Sequence, residues 1–72
     1  MDTKYKIQSV LIKKKYFSYK EACKWILDNN FKIGRVDITK TLYRFRQTTP
    51  KKGAKYRIKK ISPKIDLVIE YF

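Results

Sequence analysis

The side chains in this sequence that could do chemistry are mainly cations, and two short stretches alternate them with aromatic or branched apolar residues. Residues 43–46 read Tyr-Arg-Phe-Arg, and residues 56–59 read Tyr-Arg-Ile-Lys. A guanidinium presents a planar fork of donors that can bind phosphate oxygens in pairs, and each neutralised phosphate releases counterions. These stretches and the lysines between them therefore predict phosphate-binding residues: Arg44, Arg46, Arg57, Lys59, Lys51, Lys52 and Lys55.

The overall charge also favours a polyanionic partner. The 72 residues include 19 Lys or Arg and 6 Asp or Glu, which gives a net charge of +13. Residues 31–60 alone hold eleven Lys or Arg against Asp37, a net charge of +10. Self-repulsion at this density destabilises a small domain, so we expect a compensating partner, namely nucleic acid, with DNA favoured over RNA. The competing interpretation is a basic surface that only maintains solubility.

No pattern in the sequence indicates catalysis. It has no His, no Gly-rich phosphate loop of a standard pattern, and no closely spaced pair among its six acids. Cys23 is the single cysteine and falls on the apolar side of a predicted helix, so it is expected to be an inert thiol. Without His or a second Cys, a zinc site is not expected. We therefore predict a protein that is not an enzyme and uses neither metal nor cofactor.

The clearest local signal is a helix start at Ser18. Ser18 and Glu21 have the spacing of a capping box, and the helix is predicted to end at Asn29 and Asn30, since Asn tolerates the left-handed conformation. Residues 4–14 alternate in the manner of a strand. Further strands are predicted at 31–36, 41–47, 56–61 and 67–72, with a turn near 37–40, a long loop at 48–54 and a five-residue hairpin loop at 62–66.

This order of elements, β-α-β-β-β-β, predicts an α+β fold with one domain over residues 1–72. One helix can cover one face of a mostly antiparallel sheet, which leaves the other face open. Trp25, Tyr43, Phe45 and Tyr56 are expected beneath the helix. If strands 41–47 and 56–61 are adjacent and their aromatic sides both face the helix, their cations form one patch on the open face.

Three elements of the sequence resemble a known pattern. Residues 17–25 read F-S-x-x-E-A-x-x-W, residues 36–37 read V-D, and residues 43–47 read Y-R-F-R-Q. Together they resemble a small domain encoded by large DNA viruses and tailed bacteriophages, over about residues 9–70. That family has no settled activity, so the resemblance implies a viral origin, and a packed genome is the polyanion that it suggests.

These observations predict a protein that binds DNA with little sequence specificity, in genome packaging or viral regulation. The alternative is a structural or host-interaction module that docks on an acidic protein surface. No apolar run approaches the roughly 18 residues of a membrane span, and no signal peptide is evident, so we expect an intracellular or virion location without membrane binding or secretion. The sequence leaves open the strandedness of the nucleic acid and whether the protein forms a homodimer.

Overall fold

The computed structural model of the protein describes residues 5–49 and 52–71, which form five strands and one helix. The elements are β1 (Tyr5–Lys13), α1 (Tyr19–Asp28), β2 (Val36–Ile38), β3 (Leu42–Arg46), β4 (Lys55–Ser62) and β5 (Ile65–Tyr71). In the sheet the strands lie in the order β2-β3-β1-β5-β4, and every neighbouring pair is antiparallel. The predicted α+β fold and the predicted order of elements are confirmed.

The helix begins and ends where its capping residues place it. The Ser18 hydroxyl accepts a hydrogen bond from the Glu21 N–H (3.2 Å), and the Glu21 carboxylate accepts one from the Ser18 N–H (3.0 Å). Beyond the C-cap Asn29, Asn30 adopts φ 63°, the left-handed conformation that commonly ends a helix. The predicted helix is thus confirmed at both ends.

The core lies between α1 and the three central strands of the sheet. Ala22 and Ile26 of α1 pack against buried residues of β1, β3 and β5, namely Val10, Ile12, Phe45, Ile65 and Leu67. We call this side of the sheet the helix face and the opposite side the open face. Tyr43 and Trp25 are partly buried against the core, and Trp25 stacks on Phe31 with ring centroids 6.0 Å apart. Their predicted place beneath the helix is confirmed.

The second strand is shorter and later than predicted. Residues 31–35 were expected in a strand and residues 37–38 in a turn, but β2 spans Val36–Ile38. The reason is that Lys32 pairs with a side chain: its N–H donates to the Gln47 amide oxygen (2.9 Å), and its carbonyl accepts from the Gln47 amide nitrogen (2.8 Å). An amide side chain therefore satisfies backbone groups that a neighbouring strand would otherwise bind.

The hairpin between β4 and β5 is also tighter than predicted. A five-residue loop at 62–66 was expected, whereas only Pro63 and Lys64 separate the two strands. Ser62 pairs directly with Ile65, and its hydroxyl accepts hydrogen bonds from the N–H groups of Lys64 and Ile65, each at 3.2 Å. The Ser62 side chain replaces loop residues in closing the turn.

We expect Ser18→Ala to lower the free energy of unfolding by about 1 kcal/mol, because the first turn loses its N-cap acceptor. Ser18→Thr keeps the hydroxyl and should lose less. The hydrogen bonds from Ser18 to Glu21, backbone first, hold the pKa of Glu21 below its ordinary value of 4.5. The stabilisation by Glu21 is therefore complete above that value and lost as the pH falls through the lower, folded-state pKa. Urea unfolding at neutral and acidic pH measures both effects, and an unchanged Ser18→Ala variant would contradict them.

Candidate nucleic-acid interface

The two basic strands predicted to be neighbours are separated in the sheet. β1 and β5 lie between β3 and β4, because β3 pairs with β1 and β4 pairs with β5. The prediction that Arg44 and Arg46 adjoin Arg57 and Lys59 is therefore wrong. The segment between β3 and β4 therefore has to cross β1 and β5. The length of that segment in the sequence does not reveal the crossing.

Arg57 and Lys59 also lie on the opposite face of the sheet from the one predicted. Arg57 pairs with Ile69 and Lys59 with Leu67, which is buried on the helix face. Residues directly opposite each other in an antiparallel pair share a face, so both cations lie on the helix side of the sheet. Tyr56 was expected beneath the helix but lies on the open face, 41% exposed, and its hydroxyl donates to the buried Glu70 carboxylate (3.0 Å).

Arg44 faces the open side, as predicted, but it is engaged within the protein. Its Nε donates to the Ser9 hydroxyl and its terminal NH2 group donates to the Gln8 amide oxygen, both at 3.2 Å. Gln8 and Ser9 are fully buried polar residues next to a β-bulge in β1, and Ser9 also donates to Gln8 (2.6 Å). Arg44 is therefore part of the structure of the open face, which limits its capacity to bind phosphate.

Arg46 is held in a similar way, through an ion pair. Its Nε lies 2.8 Å from a carboxylate oxygen of Asp37, with both side chains about one-third exposed, and Arg35 approaches the same carboxylate at 3.6 Å. Asp37 is the one acid among residues 31–60. Asp37 therefore offsets part of the positive charge on the open face, where the sequence predicted a patch of cations.

We expect Arg44→Ala to lower the free energy of unfolding by about 1–3 kcal/mol, because the buried Gln8 and Ser9 each lose a donor. Lys59→Ala, at an exposed site, should change it by less than about 0.5 kcal/mol. Urea unfolding of the two variants measures the difference. Equal free energies of unfolding for the two variants would mean that the hydrogen bonds of Arg44 do not stabilise the fold.

β4 carries a row of cations that are not in ion pairs with the described residues. All residues from Lys55 to Ile61 are exposed. In the described part of the chain, no carboxylate lies within ion-pairing distance of the four cations of β4. We call these residues the β4 strip: Lys55, Arg57, Lys59 and Lys60. Lys52 of the preceding loop is also exposed, whereas Lys51 lies outside the described residues.

A groove containing two tyrosines adjoins this strip on the helix face. Tyr5 and Tyr71 are directly opposite each other on β1 and β5, and the Arg57 guanidinium lies 5.8 Å from the centroid of the Tyr71 ring. The groove has a volume of about 720 Å³. We call it the tyrosine groove, and it is lined by Tyr5, Arg57, Ile58, Lys59, Ile69 and Tyr71. Neither Tyr5 nor Tyr71 was among the predicted site residues, and a ring stacking on the open face was the expectation for one of the unassigned aromatics. Each alternates with an isoleucine two positions away, which places both on the apolar side of their strands.

A second group of lysines follows β4 at the β4–β5 turn. The Nζ atoms of Lys15 and Lys64 lie 5.7 and 5.5 Å from the centroid of the Tyr16 ring, which is 44% exposed. Lys13 reaches the same turn and donates to the Pro63 carbonyl (2.9 Å). In the sequence these lysines form only a short basic run, and the sheet brings it next to Lys64.

The remaining features of the described residues give no further site. They contain no cluster of three or more His, Cys, Asp or Glu side chains placed to hold a metal ion. No helix within them has the length and apolar character needed to span a bilayer. Cys23 is half-buried against the core, on the apolar side of α1 as expected. Comparison of the chain with protein-family models, curated proteins and solved structures gave no match.

Proposed function

We propose that this protein is a non-enzymatic nucleic-acid-binding protein that binds DNA through the β4 strip, with little sequence specificity. The observation that carries the proposal is the strip itself. Four cations lie on eight residues of one strand, exposed on both faces of the sheet, and none of them forms an ion pair with a described acid. The proposed surface thus moves from the open face predicted by the sequence to the β4 side of the sheet.

The strip has the properties of a surface for phosphates. Successive side chains of a strand point to opposite faces, so Lys55, Arg57 and Lys59 form a row along the helix face while Lys60 lies opposite. Contacts with phosphates position a protein on nucleic acid but carry no sequence information. Binding through this row therefore supplies affinity for any sequence.

The viral setting of the proposal has a separate basis. It rests on the resemblance of residues 17–25, 36–37 and 43–47 to the small domain of large DNA viruses and tailed bacteriophages. In that setting the polyanion is the viral genome, and the role is packaging or regulation inside a virion or an infected cell.

A second candidate function follows from the position of β4 at the edge of the described sheet. An edge strand presents backbone donors and acceptors to which an extended peptide can add. The four cations would select an acidic segment of a partner protein. This is the alternative that the binding experiment must separate from nucleic acid.

A binding titration at several salt concentrations tests the proposal. With four to six phosphates neutralised, we expect a log–log slope of about −3.6 to −5.4 for duplex DNA. Random duplex DNA, random single strands and an acidic polypeptide should be compared by fluorescence anisotropy. Tighter binding of the acidic polypeptide at physiological salt would favour the second candidate, and binding that ignores salt would contradict the electrostatic account.

A further inference from the structure

We infer that the tyrosine groove holds unpaired bases, so that the nucleic acid bound by this protein is single-stranded along β4. This inference rests on the proposed function and adds the class of nucleic acid. It combines two neighbouring features on one face of the sheet: a row of cations on β4 and an aromatic floor on β1 and β5.

The pairing of the strands places these features side by side. Tyr5 on β1, Tyr71 on β5 and Lys55 on β4 form one row across the sheet. The next row contains Ile7, Ile69 and Arg57 in the same strand order. Each row therefore runs from an aromatic or apolar residue to a cation, and the cations follow one another at every second residue of β4.

The Tyr5 ring of the tyrosine groove is open to solvent where a base would lie. Tyr5 is 64% exposed although it lies on the helix face, and β4, which lies on the far side of β5 from Tyr5, is exposed as well. Aromatic rings bind bases of any sequence because every base has a stacking face, and a positively charged groove follows the backbone. The Arg57 guanidinium above Tyr71 adds a cation that can contact a base or a phosphate. In a duplex the bases are already stacked on one another within the double helix, so no base face is available to the tyrosines of the groove.

The open face fits this ligand less well. It has a concavity of about 460 Å³ lined in part by Leu11, Tyr56 and Val68, with Arg57 of the β4 strip at its border. Its cation Arg44 is bonded to buried side chains and Arg46 is paired with Asp37. The cations beside the tyrosine groove have no such partners among the described residues, which decides between the two faces.

Substitution of Tyr5 tests the inference, with a short oligothymidylate and a duplex of the same length as probes. We expect Tyr5→Leu to weaken binding of the oligothymidylate about 5- to 160-fold, the equivalent of about 1–3 kcal/mol for one stacked base. Tyr5→Trp should preserve it. Duplex affinity should be the same for the wild type and both variants. Leu27→Ala, at an exposed residue of α1 outside the groove, should leave both affinities unchanged.

The outcomes separate this inference from the proposed function. If the wild type binds both probes with salt dependence and Tyr5→Leu binds the oligothymidylate as tightly as the wild type, the base-stacking inference is overturned and the proposed function stands. If the wild type binds neither probe, the proposed function fails and the inference fails with it. Circular dichroism tests whether each variant is folded, and Tyr5→Thr, which removes the ring but suits an exposed strand position, provides the test should Tyr5→Leu unfold.

Discussion

Phe45→Ala should unfold the protein or bring it close to unfolding. Phe45 is fully buried between α1 and the sheet, where Tyr19 stacks on it at 6.4 Å between ring centroids. Removal of a buried Phe side chain costs about 3–5 kcal/mol. A chain of this length has a total stability of only about 4–11 kcal/mol, at about 0.05–0.15 kcal/mol per residue. Thermal and urea unfolding followed by circular dichroism measure the loss.

Ile58→Ala is the matched control, because the sequence pattern placed Ile58 on the same side as Phe45. In the structure Ile58 is 63% exposed on the edge strand β4. The substitution should therefore change stability by less than about 0.5 kcal/mol. A large loss for Ile58→Ala together with a tolerated Phe45→Ala would mean that the helix covers the other side of the sheet.

Replacement of all four cations of the β4 strip by Gln should weaken binding of single-stranded DNA by two to three orders of magnitude at about 0.1 M salt. Each neutralised phosphate contributes about 0.7 to the log–log slope for a single strand, so the slope should fall by about 2.8. The free energy of unfolding should change little, since these side chains are exposed. Anisotropy titrations at several salt concentrations give the slope, and gel filtration shows whether the uncharged edge strand associates.

A variant with the same net charge separates a local effect from a general one. Its four substitutions to Gln are at exposed lysines outside β4, namely Lys20, Lys24, Lys32 and Lys40. Long-range attraction alone predicts equal losses for the two variants. The proposed interface predicts that the slope changes mainly in the β4 variant, and an equal change in both would contradict it.

Local signals in the sequence were sufficient to predict α1. Ser18 and Glu21 are three residues apart, and their hydrogen bonds form within one turn of helix, so no distant contact decides them. The strands were predicted with fair bounds for a similar reason, because alternation is a local property. The predicted range of β2 was wrong because its start depends on Gln47, which bonds to the backbone of Lys32 from fifteen residues away along the chain.

The candidate site required information that no local pattern contains. The order β3-β1-β5-β4 is set by long-range pairing, and a one-residue change of phase moves every side chain of β4 to the other face. β4 is exposed on both faces. The alternation of its cations with Tyr56 and Ile58 therefore does not indicate which side of the strand faces the core. The sequence could likewise indicate a basic surface but could not show that Asp37 pairs with Arg46, because that contact depends on the pairing of β2 with β3.

The most direct test of the central claim is the mapping of amide chemical shifts during titration of the labelled protein with a short single-stranded DNA at low salt. The proposed interface predicts that the largest changes occur along Lys55–Ile61 and at Tyr5 and Tyr71. Changes centred on Arg44 and Arg46, or on α1, would contradict it. No change at any residue at saturating DNA would mean that the β4 strip does not bind nucleic acid.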